Sequence, residues 1–276
     1  MSLDLDDRQR AMLQEMGIPV WWPRADAPVA VAAPMAPVAR DVRPVLAPAS
    51  AAQRPAIKAP EAAPPYAPPN APSGPLDWPA LGKTIAACTA CGLCEGRKAP
   101  VFVAETVPRQ ADWLIVGEPP DELEERAGAP FAGEAGVLLD NMLRGVQVRR
   151  DGTGSNGARL TNVVRCRPGV ARNPQTEELA ACATYLWREI ELVQPRVILA
   201  MGRFAALSLL REDYPELAAL PFGKLRGTVY RVRGLPLVVT HHPARLLRAQ
   251  ADKALAWADL CLAQTAAADA GPVATT

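Results

Sequence analysis

The sequence predicts an α/β fold, a three-layer α/β/α sandwich around a central, mostly parallel sheet, with a long Pro/Ala-rich segment ahead of it. Three observations predict it. Short apolar segments such as ADWLIVGE, RVILAMG and LPLVVTHHP read as strands. Between them lie longer segments whose apolar residues recur at helical spacing, and this alternation builds βαβ units. Prolines divide the chain, since 16 of its 29 fall in the first 80 residues.

Within residues 1–24, LDDRQRAMLQEMGIPVWW predicts a short amphipathic helix with an aromatic end. Leu5, Met12, Met16, Trp21 and Trp22 would dock on a partner or form a loosely ordered terminus. Residues 25–76 predict a disordered, partly polyproline-II linker, because proline removes backbone donors and few large apolar groups offset the entropy of ordering. Residues 77–268 form the predicted folded domain, and 269–276 a disordered end. Inside the domain, WPALGKTIAAC is a helical approach to the cysteines and ADWLIVGE the first strand. EAGVLLDNMLRGV is a helix and ARLTNVV a strand. TEELAACATYLWREIELV is a helix capped by Thr176. RVILAMG and GRFAALSLL form a strand and its following helix. RGTVYRVRG and LPLVVTHHP are two strands meeting near Gly234, and one long helix, Ala244 to Ala266, closes the fold. Working residues of such sheets gather past the carboxyl ends of strands. Gly117–Glu118, Asn162, Gly202 and His241–His242 all stand there.

Composition narrows the function classes. The 276 residues carry a formal charge of +1, so a nucleic-acid partner needs a local basic face. The N-terminal MSLDLDDRQR lacks the basic and apolar runs of a secretory leader, and no apolar run is long enough to span a bilayer. The expectation is a cytoplasmic, monomeric protein with no membrane association, whose thiols stay reduced. Three of the six cysteines, Cys88, Cys91 and Cys94, lie within ACTACGLCEGR. The Cys88-x2-Cys91 pair, with Cys166 and Cys182, makes a set that can hold zinc or an iron–sulfur cluster, or can simply be buried thiols. AGEAG, opening a helix, suits an approaching anion. Phe131, in a loop, is a stacking platform or a plug over the core. His241 and His242 precede PARLLR, a context suited to electrostatic catalysis or phosphate contact.

In order, these segments resemble the family-4 uracil-DNA glycosylases, the iron–sulfur branch of the uracil-DNA glycosylase superfamily. The resemblance covers roughly residues 80–262. CTACGLCEGR is similar to the family's C-x2-C-x-L-x3-R opening, and WLIVGEPP to its first motif. PFAGEAGVLLDNML, LTNVVRCRP, RNPQTEELAAC, VILAMG, LRG and THHPARLLR follow. The resemblance implies that Cys88, Cys91, Cys166 and Cys182 ligate a structural [4Fe–4S] cluster, with Cys94 surplus. It implies a DNA repair enzyme that flips uracil from DNA and hydrolyses its N-glycosidic bond. Phe131 would stack on the base, and Asn162 would present a donor and an acceptor to it. His242 would donate to the leaving uracil, and Glu118 would position water. Gly117 and Pro120 would line the pocket, and Arg245 and Arg248 would approach the DNA backbone. The N-terminal tail would tether a replication or repair protein. One position departs: Asp121 stands where the first motif usually has glycine. That departure and the tail motivate an alternative, a catalytically weakened or inactive uracil-DNA-binding or recruiting protein on the same fold. A zinc-stabilised α/β module of unrelated function is a third reading.

Overall fold

The computed structural model describes residues 76–103, 110–169 and 172–270. The helix expected within 1–24, nearly all of the expected linker and the last six residues lie outside them. Strands β1 (Ala111–Gly117), β2 (Gly154–Asn162), β3 (Val197–Met201), β4 (Val229–Val232) and β5 (Leu235–Thr240) form one sheet in the order β2-β1-β3-β5-β4. The first four positions are mutually parallel, and β4 pairs antiparallel with β5. Arg233 (φ 48) and Gly234 (φ 85) make the tight turn of that hairpin, the left-handed pair that matches strand twist. Because β1, β2, β3 and β5 run the same way, Gly117, Asn162, Met201 and Thr240 end at one edge. Gly117 sits opposite Asn162, and Met201 opposite Thr240. The chain passes from β1 to β2 on one side and then to β3 on the other. The crevice between the ends of β1 and β3 is therefore the switch point where such sheets bind ligands.

Alternation along the strands divides the core into two layers. Leu114, Val116, Ile198, Ala200, Leu237 and Val239 pack with helix α1 (Trp78–Ala86), α4 (Thr176–Val193) and α5 (Arg203–Leu210). Trp113, Ile115, Val197, Leu199, Met201 and Val238 pack with α3 (Gly133–Gly145) and α7 (Asp252–Asp269) on the other face. This double covering is why the strands read as unbroken apolar runs. No helix among the described residues is long and apolar enough to cross a membrane.

Local chemistry corrects several expected boundaries. Helix α4 is capped by Gln175, whose backbone N–H donates to Glu178 (2.8 Å) in a capping box; Thr176 is its first helical residue. β2 begins at Gly154, earlier than its apolar run, because the polar GSNG stretch continues the pairing with β1 past a register shift. The long C-terminal helix is two helices. α6 (Pro243–Arg248) ends at Ala249 (φ −123, ψ 80), and α7 starts at Asp252. Asp252 is held at that corner by Arg245 (2.9 Å) and lies 4.0 Å from His241. The Pro-rich segment after β1 contains an unexpected helix, α2 (Glu122–Ala127), with Asp121 as N-cap and Gly128 (φ 64) as its left-handed C-cap.

Gly136, in the first turns of α3, has no room for a side chain, because an added Cβ would overlap the Phe131 carbonyl. Gly136→Ala is expected to lower stability by about 2 kcal/mol, read as a lower midpoint in thermal unfolding. An unchanged midpoint would show that this backbone contact is not fixed.

Candidate active site

Asn162, the last residue of β2, is 1% exposed. Its Nδ2 donates to the Glu118 carbonyl (2.9 Å) and to Glu124 Oε1 (3.2 Å). Its Oδ1 is buried and without a hydrogen-bond partner. The expected donor-plus-acceptor amide is therefore corrected. Both hydrogens are used internally, and the acceptor alone remains open.

Phe131 is a buried residue with φ 54, unusual for a bulky side chain. Its N–H donates to Glu124 Oε1 (2.5 Å), which holds the backbone there. Its ring packs so tightly on Gly117 that a Cβ at that position would lie 2.7 Å from the ring. Gly117 is thus the residue that admits Phe131 to the strand edge. The ring also stacks on His242, with centroids 5.2 Å apart and planes 18° from parallel.

His242 caps α6, and its Nδ1 accepts from the Ala244 N–H (3.3 Å). In the neutral ring the proton then sits on Nε2, which becomes a donor. Burial pushes its pKa down to about 4, opposed by the Asp121 charge. His241 faces elsewhere: it is buried, packs on Phe222 and lies beside Asp252. The histidine pair is divided between two environments.

Glu118 follows β1 and reaches across the switch-point crevice. Its Oε1 accepts from the Phe204 N–H (2.9 Å) in the first turn of α5. Burial raises its pKa to about 7, against the backbone hydrogen bonds of Phe204, Ala205 and Arg203 that favour the anion. Gly202 (φ 102) makes room, since a Cβ there would overlap this carboxylate.

Helix α2 contributes what the sequence reading missed. Glu124 and Glu125 are 5% and 3% exposed, although they belong to the charge run DELEE. Glu124 binds the Asn162 amide and the Phe131 backbone. Glu125 accepts from the Lys98 N–H and from Arg167 (both 2.9 Å). The signal was present: Asp121-x-x-Glu124 is a capping-box pattern, and Gly128 a C-cap. Pro120 is buried in the β1–α2 connection. Arg245 and Arg248 are exposed on α6, the helix that begins after His242.

Cys88, Cys91, Cys166 and Cys182 line one small cavity, on the face of the sheet that α1 and α4 cover. Cys94, Arg97 and Tyr185 line it too. Arg97 donates to Cys166 Sγ (3.2 Å), and the Arg165 N–H to Cys182 Sγ (3.3 Å). Burial pushes the Cys182 thiol up to about 12 and raises Cys91 and Cys166. A bound metal would reverse that balance, since coordinating thiols are deprotonated. Among the described residues, no three His, Cys, Asp or Glu side chains gather closely enough to hold a single metal ion. The thiols instead surround a space. Cys261 on α7 does not line it.

The profile of the Uracil DNA glycosylase superfamily matches residues 104–262. A type-4 uracil-DNA glycosylase of Pyrobaculum aerophilum is 36% identical over 181 residues, 63% of this chain and 86% of that protein. One from Thermotoga maritima is 35% identical over 169 residues, 61% of this chain and 82% of that protein. One from Archaeoglobus fulgidus is 32% identical over 169 residues, covering 60% and 80%. On a match spanning more than half its length, and on these relatives, the chain belongs to the uracil DNA glycosylase superfamily.

Proposed function

We propose that this protein is a uracil-DNA glycosylase of DNA repair, which hydrolyses the bond between uracil and deoxyribose. The observation that carries the reading is the meeting of Glu118, Phe131, Asn162 and His242 at the carboxyl edge of β1, β2 and β5, around residues that hold them in place. An extruded base stacks on Phe131. Uracil carries a hydrogen on N3, and the open Oδ1 of Asn162 accepts it. Cytosine presents a lone pair at N3 and meets the same oxygen with repulsion. As the glycosidic bond breaks, its electron pair leaves with uracil, and the Nε2–H of neutral His242 donates to the developing anion. Water, held by ionised Glu118, adds to the sugar carbon and gives its proton to that carboxylate, which passes it on to the departed uracil anion or to solvent. Arg245 and Arg248 provide the exposed cations for the phosphate backbone.

The four cysteines are the proposed ligands of a [4Fe–4S] cluster. Support comes from the four thiols lining one cavity, a donor set suited to iron and sulfide. When bound, the cluster would supply cross-linking between the loop after α1, the end of β2 and α4. The domain limits, the docking tail, a monomeric state and a cytoplasmic location belong to the same proposal.

The direct test is incubation with a uracil-containing oligonucleotide, followed by alkaline cleavage at abasic sites. An intact strand at stoichiometric enzyme would reject the activity. Binding of uracil DNA without base release would restore the non-catalytic alternative, which nothing in the site favours.

The titration of Glu118 gives a second check. Its carboxylate, ionised through a pKa near 7, is the form that holds water, so base release should rise with pH through that value. Glu118→Gln should remove this acid limb and leave a low, flat profile; a limb that survives belongs to another group. Stability moves oppositely. A carboxyl whose pKa is raised by folding stabilises below its ordinary 4.5, and that contribution is lost as pH rises towards 7.

A further inference from the structure

We propose that Asp121 is a positioning residue for uracil recognition, holding Glu124 and, through it, the Asn162 amide and the Phe131 backbone in the geometry that accepts a pyrimidine. The inference rests on the function proposed above.

The bonds form a closed circuit. Asp121 Oδ1 accepts from the Glu124 N–H (2.9 Å), and the Asp121 N–H donates to Glu124 Oε2 (2.9 Å). The other oxygen of Glu124 accepts from Phe131 N and from Asn162 Nδ2. One buried carboxylate thus joins the start of α2, the stacking residue and the residue that reads N3. A buried carboxylate is costly unless its bonds are satisfied, and each partner lost loosens the others. Asp121 is the only exposed member of the circuit. Its backbone (φ −92, ψ −173) is extended and open to any residue, so the position does not require glycine. A glycine would leave the Glu124 N–H without its side-chain acceptor. The carboxylate also has an occupation other than repelling DNA: it caps α2, where the helix terminus favours negative charge.

The test compares Asp121→Ala and Asp121→Asn, each in the wild-type and the Asn162→Ala background. It reads single-turnover uracil release and hydrogen exchange of the Phe131 amide. Asp121→Ala should slow release about fivefold, the equivalent of a lost cap, while Asp121→Asn stays within about twofold, because its amide oxygen still caps. In the Asn162→Ala background the further loss should shrink to about twofold or less, since one of the two groups being positioned is gone and only the Phe131 backbone remains. Phe131 should lose protection in the alanine variant and keep it in the asparagine variant. The idea fails if alanine matches wild type. It fails equally if asparagine falls as far as alanine, or if the fivefold loss persists without Asn162. A wild-type protein inactive on uracil, but with Phe131 exchange following this pattern, would reject the activity and leave the circuit standing.

Discussion

Replacing His242 with alanine is expected to slow uracil release by about 10²–10³-fold, the cost of removing one donor from a developing anion in a buried site. Nδ1 is committed to the Ala244 N–H, and burial keeps the ring neutral down to about pH 4. Nε2–H is therefore available across the physiological range, without a charge that would have to be desolvated. A histidine held at its ordinary pKa would instead lose its neutral form in mild acid. Asn162→Ala should fall in the same range, since it removes the open acceptor proposed to meet N3–H of uracil. Both variants should keep wild-type iron content, because neither residue lines the thiol cavity. Single-turnover release and iron analysis on the same preparations decide it. A rate within threefold of wild type would remove His242 from the chemistry, and lost iron would make it a structural residue.

Cys182→Ala is expected to have the largest effect on stability, a loss of more than about 4 kcal/mol, the range reserved for lost metals and buried networks. Cys182 projects from α4 into the cavity it shares with the loop after α1. Without it the proposed cluster would lose a ligand, and α1, whose Trp78, Leu81 and Ile85 lie in the core, would lose a cross-link to α4. Iron and sulfide content, absorbance near ~400 nm and thermal unfolding should fall together. Cys94→Ala is the control. Cys94 lines the same cavity but is surplus to a four-thiol set, so iron should remain. Iron lost from Cys94→Ala and retained in Cys182→Ala would overturn the ligand assignment.

The sandwich itself was legible because its strands are buried on both faces and so stand out as apolar runs between amphipathic helices. Glu118, Asn162 and His242 stand at or just past strand ends, a position legible in the sequence, and parallel strands place those ends together; Phe131 follows a helix, and only the family resemblance pointed to it. What escaped was local or depended on contacts distant in sequence. Helix α2 is too short for periodicity to register, and its acids looked solvent-facing because their partners, Asn162, Phe131, Lys98 and Arg167, are spread over 70 positions of sequence. The break between α6 and α7 lies in an alanine-rich stretch that favours helix, and the Arg245–Asp252 pair that spans it joins residues seven apart, a contact no periodicity announces. The open acceptor of Asn162 could not be foreseen, because it depends on where its two hydrogens go.

Adjacent residues of α2 face opposite ways. Glu124 grips the base-reading residues, and Glu125 grips Lys98 and Arg167, each next to a residue that lines the thiol cavity. Six residues of helix thus form a yoke between the thiol cavity and the residues at the strand ends. With the proposed cluster bound, oxidative injury to it would register as blunted selectivity before any pocket side chain was harmed.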